Sequence, residues 1–266
     1  MPSHTTIRIN FGRPMPVFPL HVAVLMPHAV APLEIFEPRY RQMVSDALDG
    51  PGLIAMAVFA GSEAQWKKEY HGRPALRPIV CIGHIAEHFR YPDGRYAIVL
   101  QGICRGRIAR ELPPGGVDGV HENKLYREAI IEPVGIERSG QQGSGGEIGG
   151  QLPTPESDEH EQDQESLRAR IAEALGHGPL ADLRLSREAL RHLKNPEIPT
   201  SVIVEFLGAN LPERHTDVEA RYQWLAAADP GERAKIVTKR LDGLADLLRR
   251  AAPQRAVETP KGCCWN

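Results

Sequence analysis

Cysteine is scarce: there are four in 266 residues, two of them adjacent at Cys263 and Cys264. That is no disulfide framework, so reduced thiols in a cytoplasmic setting are expected. The first residues, MPSHTTIRINFGRP, hold no apolar leader segment. No run approaches the roughly 18 apolar residues that a membrane span needs, so no membrane partner is expected. Lysine is scarce too, 7 against 25 arginines, and none follows a glycine. The pattern G-x-x-x-x-G-K-[ST] is therefore missing, which excludes a phosphate loop of that type. The arginine bias fits a GC-rich bacterial genome and carries no functional meaning. Net charge is −2, so no global excess of one sign favours nucleic acid or acidic membranes. What remains is ordinary: 41% hydrophobic and 25% charged residues, in a chain long enough for two compact units.

One stretch departs from this average. Residues 135–165 hold seven glycines and eight acidic side chains against one basic. Such a piece has too little apolar surface to offset its ordering entropy, and reads as a disordered acidic linker. It divides a β-rich segment, 1–134, from a helical one, 166–252, with a polar tail over 253–266.

In the first segment, Val17 to Phe59 is the most apolar part. Val17 to Leu20 is a short apolar run. Ala29 to Phe36 alternates loosely and carries Pro32, which cannot donate to a ladder and so marks an edge strand or a bulge. Pro38 suits a first helical position. Tyr40, Met43, Val44, Ala47 and Leu48 then follow at helical spacing, and Asp49-Gly50-Pro51-Gly52 ends the helix. Leu53 to Phe59 is an unbroken apolar strand. Ile79 to Arg90 and Tyr96 to Gln101 flank Pro92-Asp93-Gly94, a tight-turn signal, and predict a hairpin. Gly102 reads as an interruption. Ile103 to Leu112, broken at Gly106, and Tyr126 to Val134 complete six or seven short strands around one helix, an α+β arrangement with a small barrel-like sheet.

Beyond the linker the period is helical from Ser166. Leu167, Ile171, Ala174 and Leu175 form one stripe, stopped by Gly176. Ser186 is a candidate cap for a second helix. Pro199 opens a third, with Val202, Ile203, Phe206 and Leu207 on its buried side. Thr216-x-x-Glu219 and Asp229-Pro230-Gly231-Glu232 have capping-box spacing. Val218, Tyr222 and Leu225 lie between them, and Ile236, Leu241, Leu244, Leu247 and Leu248 follow. The expectation is a helical bundle.

Phe18-Pro19-Leu20 followed by Leu33-Glu34-Ile35-Phe36-Glu37-Pro38-Arg39-Tyr40-Arg41, a short helix and a strand resembles the amino-terminal substrate-recognition domain of the ATP-dependent protease Lon. Cys81-Ile82-Gly83-His84-Ile85, Pro92-Asp93-Gly94-Arg95-Tyr96, Leu100-Gln101-Gly102, Arg105 and Arg107-Ile108 resemble its second half. The helices after Leu211-Pro212 resemble the helical region that follows it. The resemblance implies a PUA-like β pseudobarrel with one short helix, then a C-terminal helical bundle. It also implies binding of unfolded or exposed apolar protein segments, or of a protease or chaperone partner. Lon needs an ATPase module and a Ser-Lys peptidase, and neither is expected here: the reading is a recognition module without enzymatic activity. The binding candidates are Pro32 on the edge strand and Trp66 and Tyr70 in the polar loop 60–78. Phe18, Pro19, Phe36, Glu37, Pro38, Arg39, Tyr40 and Gly94 are expected to be structural.

Catalytic and metal chemistry finds little support. Cys81, His84 and His88 have suggestive spacing, but strand alternation turns Cys81 away, and the two histidines, on one face, stand about 13 Å apart at ~3.3 Å per residue. Zinc ligands must converge to about 2 Å from one ion. Cys263-Cys264 reads as an incidental tail. Glu34 and Glu37 fall on a strand and at a helix start, so they make no acid–base pair; Glu37 suits the helix dipole. Arg39, in a first turn, calls for a carboxylate or backbone partner. Arg105, Arg107 and Arg110 form a basic stripe without interleaved aromatics, a thin signal for RNA. RNA binding through the sheet is the alternative reading; nucleic acid is otherwise not expected, and neither a catalytic residue, a metal nor a cofactor is.

Overall fold

The computed structural model describes residues 9–21, 23–61, 73–113, 124–135, 158–211 and 218–255. Trp66, Tyr70, Thr216, most of the loop 113–123 and Cys263-Cys264 lie outside the described residues.

Among these residues are six strands: β1 (Met15–Leu20), β2 (Val30–Ile35), β3 (Leu53–Val58), β4 (Ile79–Arg90), β5 (Tyr96–Glu111) and β6 (Arg127–Pro133). There are six helices: α1 (Pro38–Leu48), α2 (Asp158–Gly176), α3 (Arg184–Leu193), α4 (Thr200–Asn210), α5 (Val218–Ala226) and α6 (Pro230–Arg255). The class is α+β, as the strand pattern predicts. The chain divides into two units, Met1–Thr154 with Glu213–Asp229, and Pro155–Pro212 with Pro230–Asn266.

In the first unit the strands form one sheet in the order β2-β5-β4-β3-β1-β6. β1 and β3 run parallel, which requires a crossover; β2 and α1 supply it. β6 pairs with β1 on one side and with the far half of β5 on the other, so the sheet curls closed. Among the described residues β2 pairs with β5 alone and is left as an edge, where the missing donor of Pro32 is tolerated. Val17, Ala55, Ala57, Val80, Ile82, Ala129 and Ile131 pack in one core cluster, with alanines where closing strands crowd. α1 carries its own buried stripe, Tyr40, Met43, Val44 and Ala47.

β5 continues through Gly102 and Gly106 as one strand of 16 residues. Neither glycine ends the strand, although the pairing with β4 skips Ile103 beside Gly102. At Gly102 the chain has no room: a Cβ would lie 2.0 Å from the Met26 carbonyl oxygen. That glycine admits a close backbone approach, sealed by bonds from His28 N–H to the Gly102 carbonyl (2.9 Å) and from Gly102 N–H to the Ala29 carbonyl (2.8 Å).

Three further expectations are corrected in the helical part. α2 begins at Asp158 rather than Ser166, so the acidic end of the expected linker is helix. Its sequence, DEHEQDQE, is rich in good helix formers and places acidic residues at a helix N-terminus, where the dipole favours them. Ser186 is no cap: α3 starts two residues earlier, with Leu183 at the N-cap, and Ser186 is buried in its first turn. α5 belongs to the sheet unit, so 166–252 is not one contiguous bundle. In α6 the buried apolar side chains are Ala234, Val237, Leu241 and Ala245, while Leu247 is 64% exposed.

The second unit is held by two arginines. The Arg168 guanidinium donates to the carbonyls of Leu193 (2.7 Å), the last residue of α3, and of Asn195 (2.7 Å) and Ile198 (2.8 Å) in the turn that follows it. Arg233 meets Glu205 at 2.7 Å, with both side chains about nine-tenths buried. Breaking one member of such a pair would leave a buried charge uncompensated.

Candidate functional site

The open edge of the sheet creates the most notable surface. Paired residues on neighbouring strands point to the same face. The ladders align Glu34, Ala97 and Phe89 in one row, and Pro32, Val99 and Glu87 in the next. Alternation sends Ile98 and Leu100 inward, where they are 2% and 0% exposed. The six row residues therefore share the outer face of β2-β5-β4. Small side chains, Ala97 and Val99, run down its middle, and larger ones stand on both sides. The result is a shallow groove of about 460 Å³, which Tyr91 also lines.

Each wall has a local cause. On the β4 side Phe89 stands edge-on to Tyr91, with centroids 5.1 Å apart. Phe89 is 60% exposed. At the hairpin end Arg95 stacks on Tyr91 and binds both Glu34 and Asp93. The Asp93 carboxylate is held below its ordinary range, first by the Arg95 backbone N–H and then by its guanidinium. On the β2 side stands Pro32, with Val30 at the strand start and Phe36 one residue past its end, 60% and 63% exposed. Three of the five most exposed large apolar side chains among the described residues thus belong to this edge or face.

Of the binding candidates, Pro32 lines the groove, while Trp66 and Tyr70 lie outside the described residues. The motif residues divide. Phe18 is buried and packs against Tyr40 at 4.6 Å. Pro19 is buried in β1 opposite Ala57. Pro38 occupies the first turn of α1, and Glu37 precedes it as N-cap. Arg39 has a carboxylate partner, Glu37, at 2.9 Å, and also covers the Tyr40 ring. Gly94 takes φ +83° in the hairpin turn. Phe36 is the exception: it is exposed, not packed. Glu87, Phe89, Tyr91, Ala97 and Val99 were not singled out by sequence reasoning. Their signal is the alternation Glu87-x-Phe89-x-Tyr91 opposite Ala97-x-Val99.

Two other sequence readings change. Arg105 is 6% exposed, and its Nε donates to the Leu225 carbonyl at 3.0 Å. It anchors α5 and contributes nothing to a surface stripe. A β-bulge between Ile85 and Glu87 flips the register, so His84 pairs with Gln101 and His88 with Ile98. The two histidines therefore face opposite ways, not the same way. Among the described residues no group of three His, Cys, Asp or Glu is placed to hold a metal. Burial pushes the Cys104 thiol up to about 12, far from a reactive thiolate. No described helix is long and apolar enough to cross a membrane.

A family model for the substrate-binding domain of ATP-dependent protease La (LON) matches residues 14–243. The chain belongs to this family. A curated Lon protease from Desulfosudis oleivorans is 28% identical over 93 residues, 35% of this chain and 11% of that protein. The chain thus matches only about a tenth of that relative's length. Among solved structures, the N-terminal domain of Mycobacterium avium complex Lon protease superposes with a TM-score of 0.55 at 16% identity, over 86% of this chain and 98% of that one. A Lon N-terminal domain protein from Xanthomonas campestris gives 0.49 at 19% identity, over 85% and 98%. The Mycobacterium structure supports the fold. The family match, not the fold, identifies the chain as carrying a Lon-type substrate-binding domain.

Proposed function

We propose that the protein is a recognition module that binds unfolded or exposed apolar protein segments, without catalysis of its own, in cytoplasmic protein quality control. It would act as an adaptor, passing what it binds to a protease or chaperone. The observation that carries this reading is the groove on β2-β5-β4: an apolar strip with aromatic and proline walls, open to solvent along a sheet edge. Apolar surface of this kind marks interaction sites. The face is a better docking surface than the edge itself, because Pro32 interrupts the donors that strand addition would use. The alternative, RNA binding through the sheet, loses Arg105 from its stripe and gains no observation in its favour.

The test is binding of a reduced, carboxymethylated globular protein, followed by fluorescence anisotropy, against the same protein in its native state. The expected result is micromolar binding of the unfolded form alone. Phe89→Ser removes an exposed ring worth about 1–2 kcal/mol when covered, so affinity should fall roughly five- to thirtyfold. Equal binding by Phe89→Ser at unchanged thermal stability would remove the groove from the account.

A further inference from the structure

The charges around this groove do not cancel along its length. The lining holds two carboxylates, Glu34 and Glu87, and neither lysine nor arginine. At the hairpin end the anions are balanced: Arg95 binds Glu34 and Asp93, and Arg41, lying against Gly94, adds a second cation near Asp93. Glu87 has no such neighbour. It is exposed and has no partner among the described residues. Arg90, the nearest arginine in sequence, pairs with Tyr96 and covers its ring on the other face of the sheet. Glu87 therefore stands alone on the β4 wall, opposite Pro32 across Val99. Two ladder spacings separate the walls, about 10 Å, the room one extended segment takes with its side chains.

We propose that the groove selects apolar segments that carry a lysine or arginine beside the apolar run, and disfavours those with aspartate or glutamate there. The proposal rests on the groove being the segment-binding site. Its chemistry is direct. The strip takes the apolar side chains, and Glu87 takes the adjacent cation in a solvent-exposed pair. A carboxylate in that place meets Glu87 as a like charge, with no lysine or arginine of the described residues lining the groove to intervene.

The experiment uses the full chain and three labelled peptides with one Leu/Phe core, flanked by lysine, serine or glutamate. Anisotropy titrations should rank them lysine, serine, glutamate, with about three- to fivefold between neighbours, the size of an exposed ion pair. Raising ionic strength to about 0.5 M should compress the ranking, since such pairs are screened. Glu87→Gln should bring the three affinities together, and Phe89→Ser should weaken all three. A flat ranking in the unmodified protein, or one that Glu87→Gln leaves intact, overturns the charge selectivity alone. Failure of every peptide to bind, or equal binding by Phe89→Ser, overturns the groove reading beneath it.

Discussion

Replacing Tyr222 by phenylalanine removes one oxygen and leaves a donor stranded. The Tyr222 hydroxyl accepts the backbone N–H of Ile79 at 2.9 Å, at the start of β4. Ile79 is 6% exposed, so water cannot readily take over the bond. A net hydrogen bond is worth about 0.5–1.5 kcal/mol, and an unsatisfied buried donor costs about 1–3. The expected loss is therefore about 1–2 kcal/mol, with the ring, the Arg77 cation over it at 4.5 Å and the α5 backbone otherwise retained. Amide hydrogen exchange reads this locally: protection of Ile79 should fall roughly five- to thirtyfold. With Trp66 and Trp265 replaced by phenylalanine, Trp224, fully buried on the same helix, reports α5 by fluorescence in urea, and its transition should move to lower denaturant by about 0.5–1 M for a slope near 2 kcal/mol/M. The neighbouring Arg77–Glu219 pair is the internal control. Its carboxylate is 55% exposed, and such pairs contribute about 0–1 kcal/mol. If Glu219→Gln costs as much as Tyr222→Phe, or if Ile79 exchange is unchanged, the buried bond is not what fastens α5 to the sheet.

Glu219 also sets a pH dependence. Its carboxylate is held below the ordinary 4.5, first by the hydrogen bond from Arg77. A depressed carboxylate stabilises the fold above its unfolded value, and that contribution is lost as pH falls through the folded value. Acid titration of the Trp224 signal should therefore lose a small increment below about 4.5, and Glu219→Gln should flatten that part of the curve, the effect being modest because the carboxylate is more than half exposed and screened by water. Gly102→Ala should be severe, costing about 3 kcal/mol or more, because its Cβ meets a backbone oxygen at 2.0 Å that cannot rotate away. A stability loss under about 1 kcal/mol in chemical denaturation would mean the 26–29 segment moves aside freely.

The parts of the fold that sequence made legible are those where local and tertiary demands coincide. Pro38, a helical stripe and a glycine-rich stop gave α1 its bounds, and Pro92 to Gly94 gave the hairpin. What stayed hidden depended on distant residues. Gly102 and Gly106 look like strand breaks, but Gly102 lies under the Met26 carbonyl and Gly106 under Ile131, so each keeps β5 intact by being small. The stripe of α5 showed a buried face without saying what covers it. Its partners, Ile79, Arg77 and Arg105, lie more than a hundred residues earlier. Composition hid the start of α2, because the same acidic residues that suit a disordered spacer also suit a helix N-terminus. The groove was legible only at Pro32. Its remaining walls need the register of three strands, and the bulge after Ile85 shifts that register by one.

Strand parity also changes what the family-bearing run means. Ile35 is 2% exposed and must point inward beside Tyr96. Alternation then forces Glu34 and Pro32 outward, and Phe36, one residue beyond, is exposed as well. The run from Leu33 to Arg41 is thus scaffold at some positions and surface at others. Phe18 on Tyr40, Pro38 in the first turn and Arg39 on Glu37 fix where α1 begins, and so where β2 must end. The second run, Pro92 to Tyr96, closes on the first: Arg95 binds Glu34, and Arg41 lies so near Gly94 that a Cβ there would meet its guanidinium. Gly94 is required twice over, by that contact and by its φ of +83°. The two stretches that carry the family resemblance therefore meet at the end of the groove.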